Sequence, residues 1–125
     1  MPKDRTKELG RSGEDLAADH FERLGYRVLA RNHRTRWGEI DLVLADDEED
    51  TIVFCEVKTR RLGTGGDPFE NLHEAKRKQV RTMAAAWLNS VKDRPRFAEL
   101  RFDAVGVTID DRDHLVRLDH LEAAF

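Results

Sequence analysis

The sequence predicts an α/β domain with a mixed central sheet flanked by helices. Three observations predict it. Segments with apolar residues at helical spacing alternate with strand-like segments, in the order helix, strand, hairpin, helix, strand, strand. The stretch from Gly38 to Lys58 reads as two strands around an acidic turn. Residues 100–109 become almost continuously apolar toward their end, as in a strand buried on both faces.

Residues 1–7 are polar and are expected to form a flexible tail, with the domain spanning residues 8–125. The first helix is expected from around Glu8 or Ser12 to Leu24. Ser12 and Asp15 have the spacing of a capping box for a helix starting there. Leu9, Gly13, Leu16, Ala17, His20, Phe21 and Leu24 form its buried stripe, and Gly25 is its stop signal. Glu14 lies about 80° from the centre of that stripe at 100° per residue, so it can look toward a sheet edge while staying wet.

Residues 26–32 form the first strand. Residues 31–37 then lead into Gly38 with Arg31, His33, Arg34, Arg36 and Trp37, a composition suited to holding phosphates and stacking a base. Trp37 reads equally well as a packing residue.

The hairpin strands are residues 39–44 and 51–58. Asp41, Glu56 and Lys58 interrupt otherwise apolar strands, and alternation puts Glu56 and Lys58 on one face. A charge in a buried strand is costly unless it is paired or binds a metal. Two carboxylates and an ammonium on one patch therefore point to a divalent-metal site for phosphodiester hydrolysis. Glu39 shares a face with Asp41, either as a further ligand or as an exposed edge residue. The acidic turn at residues 46–50 is the solvated far end of the hairpin and not a metal site.

Residues 60–68 are glycine-rich without the pattern of a phosphate-binding loop, and read as a mobile crossover with a short turn opening at Asp67-Pro68. The second helix is expected from about His73 to Ser90. Leu72, Ala75, Gln79, Val80, Met83, Trp87 and Val91 lie on one side of it, with Lys76 within or beside that side. Arg101 and Asp103 fall on one face of the following strand and can satisfy each other. Residues 110–113 form a turn and residues 115–118 a last short strand.

Composition narrows the function classes. The chain has 125 residues, a net charge of −3 and one cysteine. The net charge argues against a general polyanion binder, but basic clusters at residues 27–36, 58–61 and 76–81 give a local surface for phosphates. No apolar run approaches the roughly 20 residues of a transmembrane helix, and the first residues lack a secretory signal, so a cytoplasmic protein without a membrane partner is expected. Cys55 reads as a small buried side chain. His20, His33, His73, His114 and His120 show no structural-zinc spacing. No Gly-x-Ser-x-Gly, helix-turn-helix or zinc-finger pattern is present.

The run Gly38-Glu39-Ile40-Asp41-Leu42-Val43, followed by Val53-Phe54-Cys55-Glu56-Val57-Lys58-Thr59-Arg60, resembles the YraN/UPF0102 family of predicted nucleases. It also fits the wider PD-(D/E)XK signature, with Asp41 as the first acid and Glu56-Val57-Lys58 as the E-x-K. Gly13-Glu14, Asn32, Arg101-Phe102-Asp103 and the C-terminal residues fit as well, so the resemblance runs from Gly13 to Phe125. It implies a restriction-endonuclease-like core and a Mg²⁺-dependent nuclease, with Mn²⁺ as an alternative ion. Asp41, Glu56 and the carbonyl of Val57 would hold the ion, and Glu14 would be a further acid. Lys58 would act on the attacking water or the phosphate charge. Arg34, Arg36, Arg60, Lys76 and Gln79 are the expected nucleic-acid contacts. Lys76 matches the family lysine, whereas Gln79 stands where lysine or arginine is usual. The expected substrate is DNA, cut in a structure-selective way like that of Holliday-junction resolvases, by a homodimer. The alternative is a nucleic-acid-binding module of the same fold without turnover.

Overall fold

The computed structural model describes residues 5–70 and 74–125, with side chains for 12–70 and 76–125. The elements are α1 (Arg5–Arg23), β1 (Arg27–Thr35), β2 (Gly38–Asp46), β3 (Thr51–Arg61), α2 (Glu74–Ser90), β4 (Glu99–Ile109) and β5 (Leu115–Leu121). They build one five-stranded sheet in the order β1-β2-β3-β4-β5. Only β3 and β4 run parallel, because α2 carries the chain across between them.

Each helix covers one face of the sheet. On the α1 side, Ala17, Ala18 and Phe21 meet Leu42, Leu44, Val53, Cys55, Val105, Val107 and Ile109. On the α2 side, Val80, Met83, Ala84 and Trp87 meet Ile40, Val43, Ile52, Phe54, Phe102 and Ala104. With both faces covered, the interior strand β4 is buried from Phe102 to Ile109, which is why its sequence is nearly all apolar. Cys55 is buried in the α1-side core, and burial pushes its thiol well up, which suits a packing role.

Several boundaries differ from expectation. The described part of α1 begins at Arg5, inside the expected tail, because residues 5–8 are acceptable helix formers and nothing there breaks the helix. Residues 1–4 lie outside the described residues. Ser12 is therefore mid-helix and caps nothing; Asp15 pairs instead with Arg31. The helix does stop as Gly25 predicts: Gly25 has φ +95°, its N–H donates to Glu22 O at 3.0 Å, and Tyr26 N–H donates to Phe21 O at 3.0 Å. Leu24 falls beyond the helix end and is exposed rather than part of the stripe. β1 runs on through Thr35, so the expected connecting segment is half of a second hairpin, closed by the pair Thr35↔Gly38. As an edge strand, β1 can carry Arg27, Arg31 and Arg34 with their heads in water. β5 extends to Leu121, past the expected end. The expected start of the second helix at His73, and the positions of Leu72 and of the Leu9 and Ala75 side chains, lie outside what is described.

The glycine-rich segment is tied to the body. Arg60 donates to the carbonyl of Gly66, and the Asp67 carboxylate accepts from Phe69 N–H at 2.9 Å in the expected turn. Pro68 lies so close over Gly106 that a Cβ there would sit 2.9 Å from the Pro68 Cβ. At the far end of the β2–β3 hairpin the acidic turn is exposed, as expected, and Arg27 grips Asp47 through two bonds of 2.8 and 3.0 Å.

One contact sets how close α1 comes to the sheet. A Cβ added at Gly13 would lie 1.6 Å from Thr59 Oγ1 and 2.8 Å from Thr59 Cβ. Thr59 is a branched residue in a central strand, so it cannot swing away. Gly13→Ala is expected to lose about 1–3 kcal/mol, the range for overpacking. That sign is informative, because glycine to alanine inside a helix otherwise gains about 1 kcal/mol. Thr59 Oγ1 is buried with no hydrogen-bond partner among the described residues, so adding Thr59→Ala removes the worst clash at little cost and should restore part of the loss. Urea unfolding of the parent and both variants measures this. A Gly13→Ala protein as stable as the parent would show that the close approach does not exist.

Candidate metal and nucleic-acid site

β2 stays on β3 only from Asp46↔Thr51 to Leu42↔Cys55. Before Leu42, β2 pairs with β1 alone, while β3 continues along β4 as far as Arg61↔Ile109. The two strands fork. Strict alternation fails at the fork: Ile40 and Val43 are three residues apart yet belong to the same core cluster. Asp41 sits at the branch point, where its Oδ2 accepts the Val57 backbone N–H at 2.7 Å. That bond spans the gap the missing ladder leaves.

Glu14 reaches the fork from α1, which Gly13 has let close to β3. Ligand atoms of Glu14, Glu39 and Asp41 all lie within 4.8 Å of one another. Crowded carboxylates destabilise each other's charge. Burial, then the neighbouring charges of Glu14, Glu56 and Glu39, push Asp41 up to about 7, against the lowering effect of the Val57 bond. Burial also raises Glu14, which the Asn32 side-chain amide partly offsets by donating a hydrogen bond to it.

Glu56 occupies the β3 arm. Its Oε1 is 2.9 Å from Lys76 Nζ and 3.5 Å from Lys58 Nζ, so Glu56 and Lys58 do share a face. Its Oε2 is buried without a hydrogen-bond partner among the described residues. A narrow cleft lined by Glu39, Asp41, Glu56 and Lys76, floored by Ile40 and Met83, joins the two arms.

The expected site residues thus fall into groups. Glu14 and Asp41 converge, and they do so with Glu39 as their third member. Glu56 and Lys58 stand together across the cleft with Lys76. Val57 contributes its N–H to Asp41. Arg34, largely exposed, lies 3.4 Å from Glu39, and Arg36 stacks over Trp37 on the β1–β2 turn. Arg60 is committed to Thr108 Oγ1 at 3.3 Å and to Gly66. Gln79 donates to the carbonyl of Trp37, which anchors that turn to α2. His33 is half-buried in β1.

Asn32 is not among the expected site residues, and the sequence offers only an asparagine inside a strand as a signal. In the fold it has φ +53°, a conformation asparagine tolerates better than most residues, at a point in β1 where its amide meets Glu14. Glu39 could be placed near Asp41 from alternation, but not its convergence with Glu14, which depends on where a helix docks.

The donor set suits a hard divalent cation. Every converging side chain offers carboxylate oxygen, one Glu56 oxygen has no hydrogen-bond partner among the described residues, and burial, followed by the acidic neighbours, raises the Asp41 pKa to about 7, a shift a bound cation would reverse.

A mixed five-stranded sheet between two helices, with acids at the fork of its central hairpin, is consistent with the core of restriction-endonuclease-like proteins. The particular family follows from comparison. Residues 13–107 match the family described as "Uncharacterised protein family UPF0102", and the chain belongs to it. It is similar to a UPF0102 protein of Mycobacterium avium, 44% identical over 109 residues, covering 84% of this chain and 80% of that one. A UPF0102 protein of Syntrophomonas wolfei is 40% identical over 120 residues, covering 95% and 98% of the two chains. One of Geobacter sulfurreducens is 42% identical over 119 residues, covering 95% and 89%. Among the described residues, no helix is long and apolar enough to cross a membrane.

Proposed function

We infer that the chain is a cytoplasmic, metal-dependent nuclease that hydrolyses phosphodiester bonds in DNA of branched or flapped structure. The observation that carries this reading is the meeting of Glu14, Glu39 and Asp41 at the fork, opposite a buried Glu56 oxygen that has no hydrogen-bond partner among the described residues. Asp41, Glu14 and Glu56, with the carbonyl of Val57, are the groups that would hold Mg²⁺ or Mn²⁺. When bound, such an ion polarises the scissile phosphate and acidifies a coordinated water. The chain's own part is positional. The Val57 N–H fixes the Asp41 carboxylate, Asn32 fixes Glu14, and Lys58 places an ammonium beside the acids, where it can orient the attacking water or offset charge on the phosphate. Arg34 and Arg36 on the β1–β2 hairpin, Lys76 in the cleft, Gln79 beneath the Trp37 turn and Arg60 on β3 form the proposed nucleic-acid surface. Cutting both strands of a symmetric junction requires two sites, and hence a homodimer.

A second reading, a binding module without turnover, is favoured by one contact: Lys76 holds Glu56 at 2.9 Å, and that ammonium competes with a cation. Cleavage of branched and flapped DNA in Mg²⁺ or Mn²⁺ separates the two. The parent is expected to cut, and Asp41→Asn to be slower by on the order of 100-fold or more. Equal cutting by both proteins assigns the activity to a contaminant; binding by the parent without cutting, across substrates and both ions, selects the module.

A further inference from the structure

The turn between β1 and β2 is two residues long, Arg36 and Trp37, and both are exposed. Trp37 is 42% exposed and is the one aromatic among the large apolar side chains that the described residues leave open to water; the other tryptophan, Trp87, is 3% exposed. An indole left in water forgoes the stabilisation that burial brings. Yet the backbone beneath it is held on every side. Trp37 N–H donates to Thr35 Oγ1 at 3.1 Å, Thr35 Oγ1 donates to Gly38 O at 2.8 Å, and the Gln79 amide donates to Trp37 O. Gly38 has φ +139° and lies flat on α2, where a Cβ would be 2.7 Å from Gln79 Nε2. The Arg36 guanidinium sits 4.6 Å from the centre of the ring.

This platform adjoins the acids. Trp37 is two residues before Glu39, with Gly38 alone between them, so their Cα atoms are at most about 7 Å apart. Gln79, which holds the turn, is three residues from Lys76, which holds Glu56, so one turn of α2 links the two. Arg34 and Arg36 supply positive charge on the same hairpin.

We propose that Trp37, backed by Arg36, is a stacking platform for an unpaired nucleobase beside the scissile phosphodiester, which makes the substrate a single strand or a flap rather than continuous duplex. The proposal rests on the nuclease reading and narrows it. Every nucleobase has a face to offer an indole, whatever its identity, whereas paired bases are already stacked on their neighbours. A rigid turn that is already in place loses little entropy on binding.

The test uses the full chain in EDTA, so that binding is read without cleavage. Labelled oligothymidylate, an abasic strand of equal length and a duplex of equal length are titrated, with anisotropy and tryptophan emission recorded together. Oligothymidylate is expected to bind about 5- to 100-fold more tightly than the abasic strand, the range for one base stacked on an aromatic ring. It should quench Trp37 while buried Trp87 still emits. Trp37→Leu should lower oligothymidylate affinity to the abasic level; Trp37→Phe should keep most of the affinity and lose the quench. Both variants should melt with the parent, because the ring is exposed. Equal affinity for normal and abasic strands, unchanged affinity in Trp37→Leu, or tighter binding of duplex would each overturn the platform. If those results came with Mg²⁺-dependent cutting by the parent, the nuclease reading would survive. Quenching without cutting under any metal condition would leave the platform and defeat the nuclease. No binding to any of the three probes would defeat both.

Discussion

Asp41→Asn is expected to make the protein more stable at about pH 8 and at the same time insensitive to divalent cations. The native environment pushes Asp41 from an ordinary 3.8 up to about 7, with burial as the largest cause. A carboxyl whose folded pKa exceeds its unfolded one binds more protons in the native state between those values. Stability from this group is therefore greatest below about pH 4, falls as pH rises toward 7, and stays low above it. Three units correspond to at most about 4 kcal/mol at 1.36 kcal/mol per unit. The neutral amide escapes this penalty and still accepts the Val57 N–H, so a gain of about 2 kcal/mol is expected, in the manner of other substitutions that relieve strained functional sites. That corresponds to several degrees in the melting midpoint of a domain this size. A divalent cation should raise the midpoint of the parent by mass action, about 2.7 kcal/mol at 100 times its dissociation constant, and leave the variant nearly unmoved. Thermal melts of both proteins from about pH 4 to pH 8, with and without Mg²⁺, measure all of this. A variant that melts below the parent at about pH 8, or that gains as much from Mg²⁺, would sink the account of the fork.

The largest loss is expected at Asp103→Ala, on β4 opposite Cys55. Asp103 is fully buried, yet its carboxylate is saturated. Arg101 donates from Nε at 2.8 Å and from Nη2 at 2.9 Å, His120 Nε2 lies at 2.8 Å, and Ala123 N–H donates at 3.1 Å. A carboxylate only accepts, so His120 donates from Nε2, and in a neutral ring its Nδ1 then accepts from His20 Nε2 at 3.0 Å. Arg101 also reaches the Tyr26 hydroxyl at 2.8 Å. The network joins α1, β4, β5 and the C-terminal turn. Burial acts to raise the Asp103 pKa, but the bonds from His120, Arg101 and Ala123 outweigh it and hold the group below its ordinary value. The sign is opposite to that of Asp41: this carboxylate contributes stability above about pH 4, which is lost as the pH falls below it. Removing it strands a guanidinium, an imidazole and an amide in the interior, a change that costs about 3–5 kcal/mol. Urea unfolding near neutral pH is the measurement. A loss under about 1 kcal/mol would mean that water, not Asp103, satisfies these donors. Tyr26→Phe removes a single outer bond and should cost only about 1 kcal/mol.

Much of this was legible in the residues. Arg101 and Asp103 are two apart in a strand, and alternation alone pairs them. Cys55 among apolar neighbours reads as core, and it is core. The apolar run of β4 announces a strand with both faces covered. The hairpin that carries Asp41 and Glu56 follows from its pattern, and its register agrees with the strands read from sequence. The errors share a cause. Arginines, a histidine and an asparagine do not read as a strand, so the expected first strand ends at Asn32, but an edge strand with one side in water accepts them as far as Thr35. Trp37 reads as readily as a packing residue as a functional one, because exposure is a property of the finished turn. Gln79 looked like a departure from a basic position, and its hydrogen bond to Trp37 O is visible only once α2 lies against the turn.

What the chain determined by itself is local: which segments twist into strands, where α1 must stop at Gly25, and which charged side chains lie too deep in apolar strands to be decoration. Periodicity and backbone preference act over a few residues, so they can be read there. The tertiary structure alone decided which acids meet. Glu39 joins Glu14 and Asp41, and Glu56 turns to Lys76, because β2 parts from β3 at Leu42 and because Gly13 lets a helix come within van der Waals reach of Thr59. Docking distances and strand forks arise from contacts between residues far apart in sequence, and no spacing along the chain encodes them.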